Sequence, residues 1–170
     1  MSAEDAKRRA IGDFERTYHE IESKLLALSK ADLERPVFTG EGPGWRVRDI
    51  VPHLARWNRM ATDAARKIAA GTEPPPEAEL RLRPFVGISD DLDTVNDKQF
   101  QTWRERPVDE AFTELNRAHS ELMDALRALP AERVVKPDGE PYRYFWQPGL
   151  NHLRQHWEHI EAALKETATS

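Results

Sequence analysis

The fold class is decided by residues 108–130, which have the sequence VDEAFTELNRAHSELMDALRALP. Six apolar residues and one histidine follow one another at alternating steps of four and three residues, and we call these the seam positions: Val108, Phe112, Leu115, His119, Leu122, Leu126 and Leu129. This spacing places the seam side chains on one face of an α-helix, and so narrow a stripe is typical of helices in a bundle. Pro130 cannot continue a helix. We therefore predict a bundle helix over residues 108–129.

Three other segments have apolar residues at the same helical spacing. The first covers residues 3–29, with Ile11, Phe14, Tyr18, Ile21, Leu25 and Leu28 on one face. The second is predicted to begin near Asp49, because Pro52 is best tolerated in the first turn, and to end at Gly71. The last covers residues 149–166. The pattern predicts an all-α four-helix bundle.

The connection between the second and third long helices is the longest in the predicted bundle. Pro74–Pro76 exclude a regular helix, so residues 72–90 are predicted to form an extended loop. A weaker apolar pattern over residues 92–103 predicts a short extra helix that ends before Pro107. The turn-rich stretch 38–44 predicts a break before the second helix. The bundle is therefore expected to contain a long crossover connection and one short additional helix.

Composition excludes several classes of protein. The chain has 170 residues, which we assign to one domain over residues 1–170. Its 25 basic and 30 acidic residues are interspersed and give a net charge of −5, so we expect no nucleic-acid partner. No apolar run approaches the length of a membrane span, and there is no cysteine for disulfides, thiolate ligands or a nucleophile. With a charged N-terminal stretch, these features predict a cytoplasmic protein.

Two of the six histidines are spaced so that they could bind the same metal ion. His152 and His156 are four residues apart, and His159 follows three residues later, so the three lie within about 60° of arc on one helix face. Such a pair can offer two imidazoles to one metal ion, as in other helical metal sites. A random chain of this composition would contain such a pair roughly one time in six, so two partly exposed surface histidines are the alternative interpretation.

His53 is the candidate third ligand. It borders the apolar face of the second helix, where a histidine can equally be a polar residue at the core edge. Asp49 lies one turn earlier and could orient the imidazole, although a carboxylate in the first turn also interacts favourably with the helix dipole. His119 occupies a seam position and is expected to be hydrogen-bonded within the core. Glu158 points away from the histidine face and is a poor candidate for a general base.

The aromatic residues allow two interpretations. Trp57, Trp103 and Trp157 fit apolar stripes and are expected in the core. Residues 142–146 carry four aromatic side chains just before the histidine helix. They could line the mouth of a pocket above a metal, or pack a loop against the bundle.

Two stretches of the sequence combine tryptophan and histidine in characteristic motifs: Trp45-Arg-Val-Arg-Asp-Ile-Val-Pro-His53 and Asn151-His152-Leu-Arg-Gln-His156. Together they resemble the DinB-like superfamily, which includes YfiT-type metal-dependent hydrolases and thiol-dependent transferases. The resemblance implies an up-up-down-down bundle in which His53, His152 and His156 bind Zn²⁺ or Ni²⁺, with water completing the coordination. It also implies a homodimer as one oligomeric state. The stretch His156-Trp-Glu-His159 is similar to the ClbS/DfsB branch, whose members resemble self-resistance and hydrolytic proteins.

The sequence leaves three functions open. The first is a metal-dependent hydrolase or transferase acting on a small-molecule substrate; because the chain lacks cysteine, any thiol chemistry must use an external low-molecular-weight thiol. The second is a self-resistance or stress protein that binds a small molecule without metal, or with a structural metal. The third is a structural module that dimerises through its bundle.

Overall fold

The computed structural model describes residues 2–37, 44–79, 81–88 and 91–166. Within these ranges the chain is helical and contains no β-strand, only two isolated antiparallel bridges, Pro36–Arg46 and Val135–Pro141. The predicted all-α class is confirmed. Most of the predicted turn at 38–44 and residues 80, 89 and 90 of the predicted loop lie outside the described residues.

The helices are of two kinds, long helices and single turns. They are α1 (Ala3–Leu26), α2 (Lys30–Leu33), α3 (Val47–Ala69), α4 (Leu82–Phe85), α5 (Leu92–Trp103), α6 (Val108–Ala128), α7 (Ala131–Val134), α8 (Arg143–Trp146), a π-helix (Gln147–Asn151) and α9 (His152–Lys165). Helices α1, α3, α6 and α9 correspond to the four predicted bundle helices, and α5 is the predicted extra helix. None of the helices in the described ranges is both long and apolar enough to cross a membrane.

Two local predictions need correction. Residues 72–90 are not extended throughout, because the single-turn helix α4 forms after the prolines. Helix α3 begins at Val47, two residues before the predicted start. Asp49 explains the earlier start, since its carboxylate accepts the Arg46 backbone N–H at 2.8 Å and so satisfies a donor at the helix N-terminus.

The apolar core has two parts, which reveal the helix directions. One part combines the start of α1 with the ends of α3 and α6, represented by Ile11, Phe14, Ala64, Ile68, Leu122 and Leu126. The other combines the end of α1 with the starts of α3 and α6, represented by Tyr18, Leu25, Ile50, Leu54, Phe112 and Leu115. The last helical segment begins at Leu150 in the first part and reaches Ile160 in the second.

These positions give an up-down-down-up order, so the implied up-up-down-down order is wrong. The connection from α1 to α3 leaves and re-enters at the same end of the bundle, where the Val37 N–H donates to the Trp45 carbonyl at 2.9 Å. The two helices are therefore antiparallel. Helices α3 and α6 are parallel, which requires the chain to travel back along the bundle, and the long crossover with α4 and α5 provides that return.

The π-helix before α9 is held in place by a close approach to α1. A Cβ atom on Gly149 would lie 2.5 Å from Cζ of Phe14, whose side chain is fully buried. Glycine is therefore needed where the Phe14 ring packs against the π-turn. Such π-turns often occur at functional sites, and this one leads directly into His152.

Candidate metal centre

Three buried histidines converge between α3 and α9. The Nε2 atom of His152 lies 2.8 Å from Nε2 of His53 and 3.1 Å from Nε2 of His156. One ring nitrogen from each residue lies within 4.8 Å of the other two. His53 and His156 are 0% exposed and His152 is 7% exposed. The structure thus brings together the three residues predicted as metal ligands.

The two helices contribute the imidazoles in different ways. His152 and His156 lie on successive turns of α9, so their side chains lie one above the other on the same face. His53 comes from the second turn of α3, which packs beside α9. Because a single helix supplies only two of the nitrogens, the group depends on the packing of these two elements.

Gln99, on α5, orients His53. Its side-chain amide donates to the Pro52 carbonyl, which leaves its Oε1 atom 3.3 Å from Nδ1 of His53. In this arrangement Nδ1 of His53 carries the proton and donates to Gln99, so the Nε2 lone pair faces the other two histidines. Gln99 is only 7% exposed. Sequence reasoning assigned it no function, although it lies in the apolar pattern of the predicted extra helix.

Asp49 does not contact the histidine. Its carboxylate binds the Arg46 side chain, with Nε at 3.0 Å and Nη2 at 3.1 Å, in addition to the Arg46 backbone N–H. Of its two predicted roles, the structure therefore supports the first-turn carboxylate. The histidine group contains no carboxylate within the described residues.

Tryptophan side chains form the walls of the site. The Trp57 indole N–H donates to Nε2 of His53 at 2.9 Å, and its ring centroid lies 4.4 Å from that of His152. The Trp45 ring meets His53 edge-on at 4.9 Å. Trp57 is only half-buried, so the prediction that it belongs to the core is wrong. It separates the histidines from a neighbouring cavity.

That cavity has a volume of about 500 Å³ and is lined by Trp57 and by residues of the crossover, of α8 and of the π-helix. The aromatic residues at 142–146 do not line it. Phe145 is 0% exposed and belongs to the core, and Tyr144 donates its hydroxyl to the Pro75 carbonyl at 3.3 Å. Of the two predictions for these aromatics, the structure supports packing of the loop.

The remaining histidines lie outside the ligand group. His119 stacks on Tyr18 with a ring separation of 3.6 Å, and neither of its ring nitrogens has a hydrogen-bond partner in the described ranges. The predicted core hydrogen bond is therefore wrong. Burial lowers the pKa of His119 to about 3, which keeps it neutral at physiological pH. The His159 ring lies edge-on to His156, with centroids 5.4 Å apart.

The comparison with known families gives a match to most of the chain. A family model described as the mycothiol maleylpyruvate isomerase N-terminal domain matches residues 14–143. The chain belongs to this family. It is a DinB-like domain family, so the superfamily resemblance is confirmed. The matched range contains His53 and Gln99, whereas His152 and His156 lie beyond its end. No curated protein and no solved structure gives a significant match to this member of the mycothiol maleylpyruvate isomerase N-terminal domain family.

Proposed function

We propose that the protein is a divalent-metal-dependent enzyme that uses an external low-molecular-weight thiol, mycothiol, in a reaction on a small electrophilic molecule. The observation that carries this proposal is the convergence of three buried Nε2 atoms, from His53, His152 and His156, on one point. The metal is Zn²⁺ or Ni²⁺, both of which bind imidazole readily.

The donor set fits such an ion. Two bonds of about 2.0–2.1 Å at a tetrahedral angle place their nitrogen atoms about 3.3 Å apart. The separations of 2.8 Å and 3.1 Å are close to that value. Three nitrogen atoms buried so close together repel one another unless a proton or a cation lies among them. Gln99 adds the outer hydrogen bond that metal-binding histidines usually make.

The residues around the histidines are suited to thiol chemistry. A divalent ion with three neutral ligands lowers the pKa of a thiol that binds to it. The chain has no cysteine, so the thiol must come from solution. The Trp57 N–H lies 2.9 Å from Nε2 of His53 and can donate instead to an anionic sulfur beside it.

The family supports the choice of thiol. Its description names mycothiol and the isomerisation of maleylpyruvate, and its model covers the part of this chain that provides His53, Trp57 and Gln99. A thiol cofactor and a chain without cysteine suit a reducing compartment, and we propose a cytoplasmic location. Hydrolysis without a thiol is the competing activity.

Metal content tests the first half of the proposal. The protein is purified without a histidine tag and analysed by plasma mass spectrometry beside His53→Ala and the exposed His19→Ala. We expect about one zinc or nickel per chain in wild type and in His19→Ala, and none in His53→Ala. Absence of stoichiometric metal after reconstitution with either ion would overturn the assignment.

Turnover tests the second half. The metal-loaded protein is incubated with maleylpyruvate and a panel of electrophiles and esters, with and without mycothiol. We expect turnover only when the thiol is present, and loss of that turnover in His53→Ala. Thiol-independent turnover of an ester would instead identify a hydrolase.

A further inference from the structure

The indole N–H of Trp57 and a metal ion require the same atom. The indole donates to Nε2 of His53 at 2.9 Å. Because Gln99 accepts the proton on Nδ1, Nε2 is the nitrogen of His53 that carries the lone pair. A metal-binding imidazole donates such a lone pair to the ion. The indole N–H and an ion therefore cannot both occupy Nε2 of His53.

This hydrogen bond follows from the fold of the site. Trp57 lies four residues after His53 on α3, and side chains on a helix point back towards its N-terminus, so the indole reaches over the imidazole. The centroid of the Trp57 ring also lies 4.4 Å from that of His152 on α9. The indole thus contacts one histidine from each of the two helices that form the candidate metal centre.

Of the two partners in this hydrogen bond, the indole is the one that can move. His53 is fully buried, lies edge-on to the buried Trp45 ring and is held by Gln99. Trp57 is only half-buried, and it lines the cavity of about 500 Å³ that adjoins the histidines. Space is therefore available beside the indole, whereas the imidazole is enclosed. An ion that binds His53 would displace the Trp57 N–H and leave the histidine in place.

The size of this competition follows from the strength of one hydrogen bond. A hydrogen bond between neutral groups contributes enough free energy to change an equilibrium constant by about 2–10-fold. That free energy opposes metal binding, because the bond between Trp57 and His53 has to break. The presence of the Trp57 N–H should therefore lower metal affinity moderately without abolishing it.

We propose that Trp57 is a positioning residue that competes with the metal ion: its N–H binds Nε2 of His53, and metal binding displaces the indole towards the neighbouring cavity. This inference rests on the proposed metal-dependent function, because it describes what one residue does when the ion binds. The displacement couples two parts of the molecule. One wall of the cavity moves when the ion binds, so a molecule in the cavity meets a different surface in the metal-loaded protein.

Zinc affinity tests the competition. Trp57→Phe keeps an aromatic ring beside His152 and removes the N–H donor. In a competition titration against a zinc chelator, this variant should bind zinc about 2–10-fold more tightly than wild type. Trp103→Phe is the matched control, because Trp103 is also half-buried but lies on α5, where its ring packs against Arg106. The zinc affinity of this control should equal that of wild type.

The indole proton reports the displacement directly. The indole N–H signals in a 1H–15N spectrum are assigned with variants that replace one tryptophan at a time by phenylalanine, at Trp45, Trp57, Trp103, Trp146 and Trp157. When zinc is added to wild type, the Trp57 signal should move upfield, because its proton loses the imidazole acceptor. The Trp103 signal should stay in place. Neither readout depends on turnover.

The outcomes separate this inference from the proposed function. A zinc affinity that Trp57→Phe leaves unchanged or lowers overturns the competition, and so does a Trp57 signal that stoichiometric zinc leaves in place; the metal-dependent function stands in both cases. Absence of zinc binding by wild type and by Trp57→Phe overturns the metal-dependent function and this inference together. Thermal unfolding identifies a Trp57→Phe variant that has lost its fold, and the wild-type indole signal then decides.

Discussion

Two buried histidine environments in this bundle show what makes a site. His119 lies between α6 and α1, stacked on Tyr18 and edge-on to Phe14, and its ring nitrogens have no partner in the described residues. His152 is similarly buried, but its Nε2 atom is within 3.1 Å of Nε2 from two other histidines. Burial is common to both, and only the second environment directs several donor atoms at one point.

The energetic consequences differ accordingly. A lone buried imidazole responds by remaining neutral, and its apolar ring fills space in the core like an aromatic residue. Where several imidazole nitrogens point at one buried position, a cation bound among them stabilises the folded protein. We therefore expect substitutions in the two environments to affect different measurements.

The largest expected difference is in metal retention. His156→Ala removes one of the three proposed ligands, at a position that is 0% exposed, and we expect the variant to lose stoichiometric zinc or nickel. His119→Ala leaves the ligand group intact and should retain about one metal per chain, although it opens a cavity in the core. Equal metal content in the two variants would show that the histidine group does not bind the ion.

Gln99 tests whether the orientation of His53 matters. Gln99→Leu removes the acceptor for the His53 Nδ1 proton, and we expect metal affinity to fall about 10–100-fold. The exposed Gln101→Leu on the same helix is the matched control. Competition titration against a zinc chelator gives both affinities, and an unchanged value for Gln99→Leu would remove its proposed role.

His119 should be visible in the pH dependence of stability. Its folded pKa of about 3 lies below the value of about 6.5 expected in the unfolded chain, so only the unfolded state takes up the proton between these values. Stability is therefore lost as pH falls from about 6.5 towards 3, by about 2 kcal/mol at pH 5. His119→Phe lacks this contribution. Urea unfolding at pH 7 and pH 5 should show a smaller decrease for the variant, and identical decreases would contradict the assignment.

Gly149 lies in the π-turn that leads into His152, and Phe14 packs against both this turn and His119. Phe14 therefore lies between the two histidine environments. Gly149→Ala would force the buried Phe14 ring to move, and we expect a loss of about 1–2 kcal/mol in the free energy of unfolding. Gly12→Ala lies in α1 with nothing within 4 Å of the added Cβ, and should instead stabilise by up to about 1 kcal/mol. Stabilisation by both substitutions would show that the π-turn tolerates a side chain.

The sequence located the four bundle helices because each carries an apolar stripe at a spacing that only a helix aligns on one face. It also placed His152 and His156 on one face, since residues four apart are neighbours on any helix. Gln99 was missed because its partners, His53 and the Pro52 carbonyl, lie on another helix. No spacing within α5 distinguishes it from any other polar residue beside an apolar stripe.

What the sequence determined by itself was therefore local: the all-α class, the positions of the helices and the pairing of two histidines. The tertiary structure decided the antiparallel return from α1 to α3, the addition of His53 to the pair, the stacking of His119 on Tyr18 and the cavity beside Trp57. The physical reason is the range of the interactions. Helical periodicity is set by neighbours within about four residues, whereas a site requires contacts between segments whose relative placement depends on how the whole core packs.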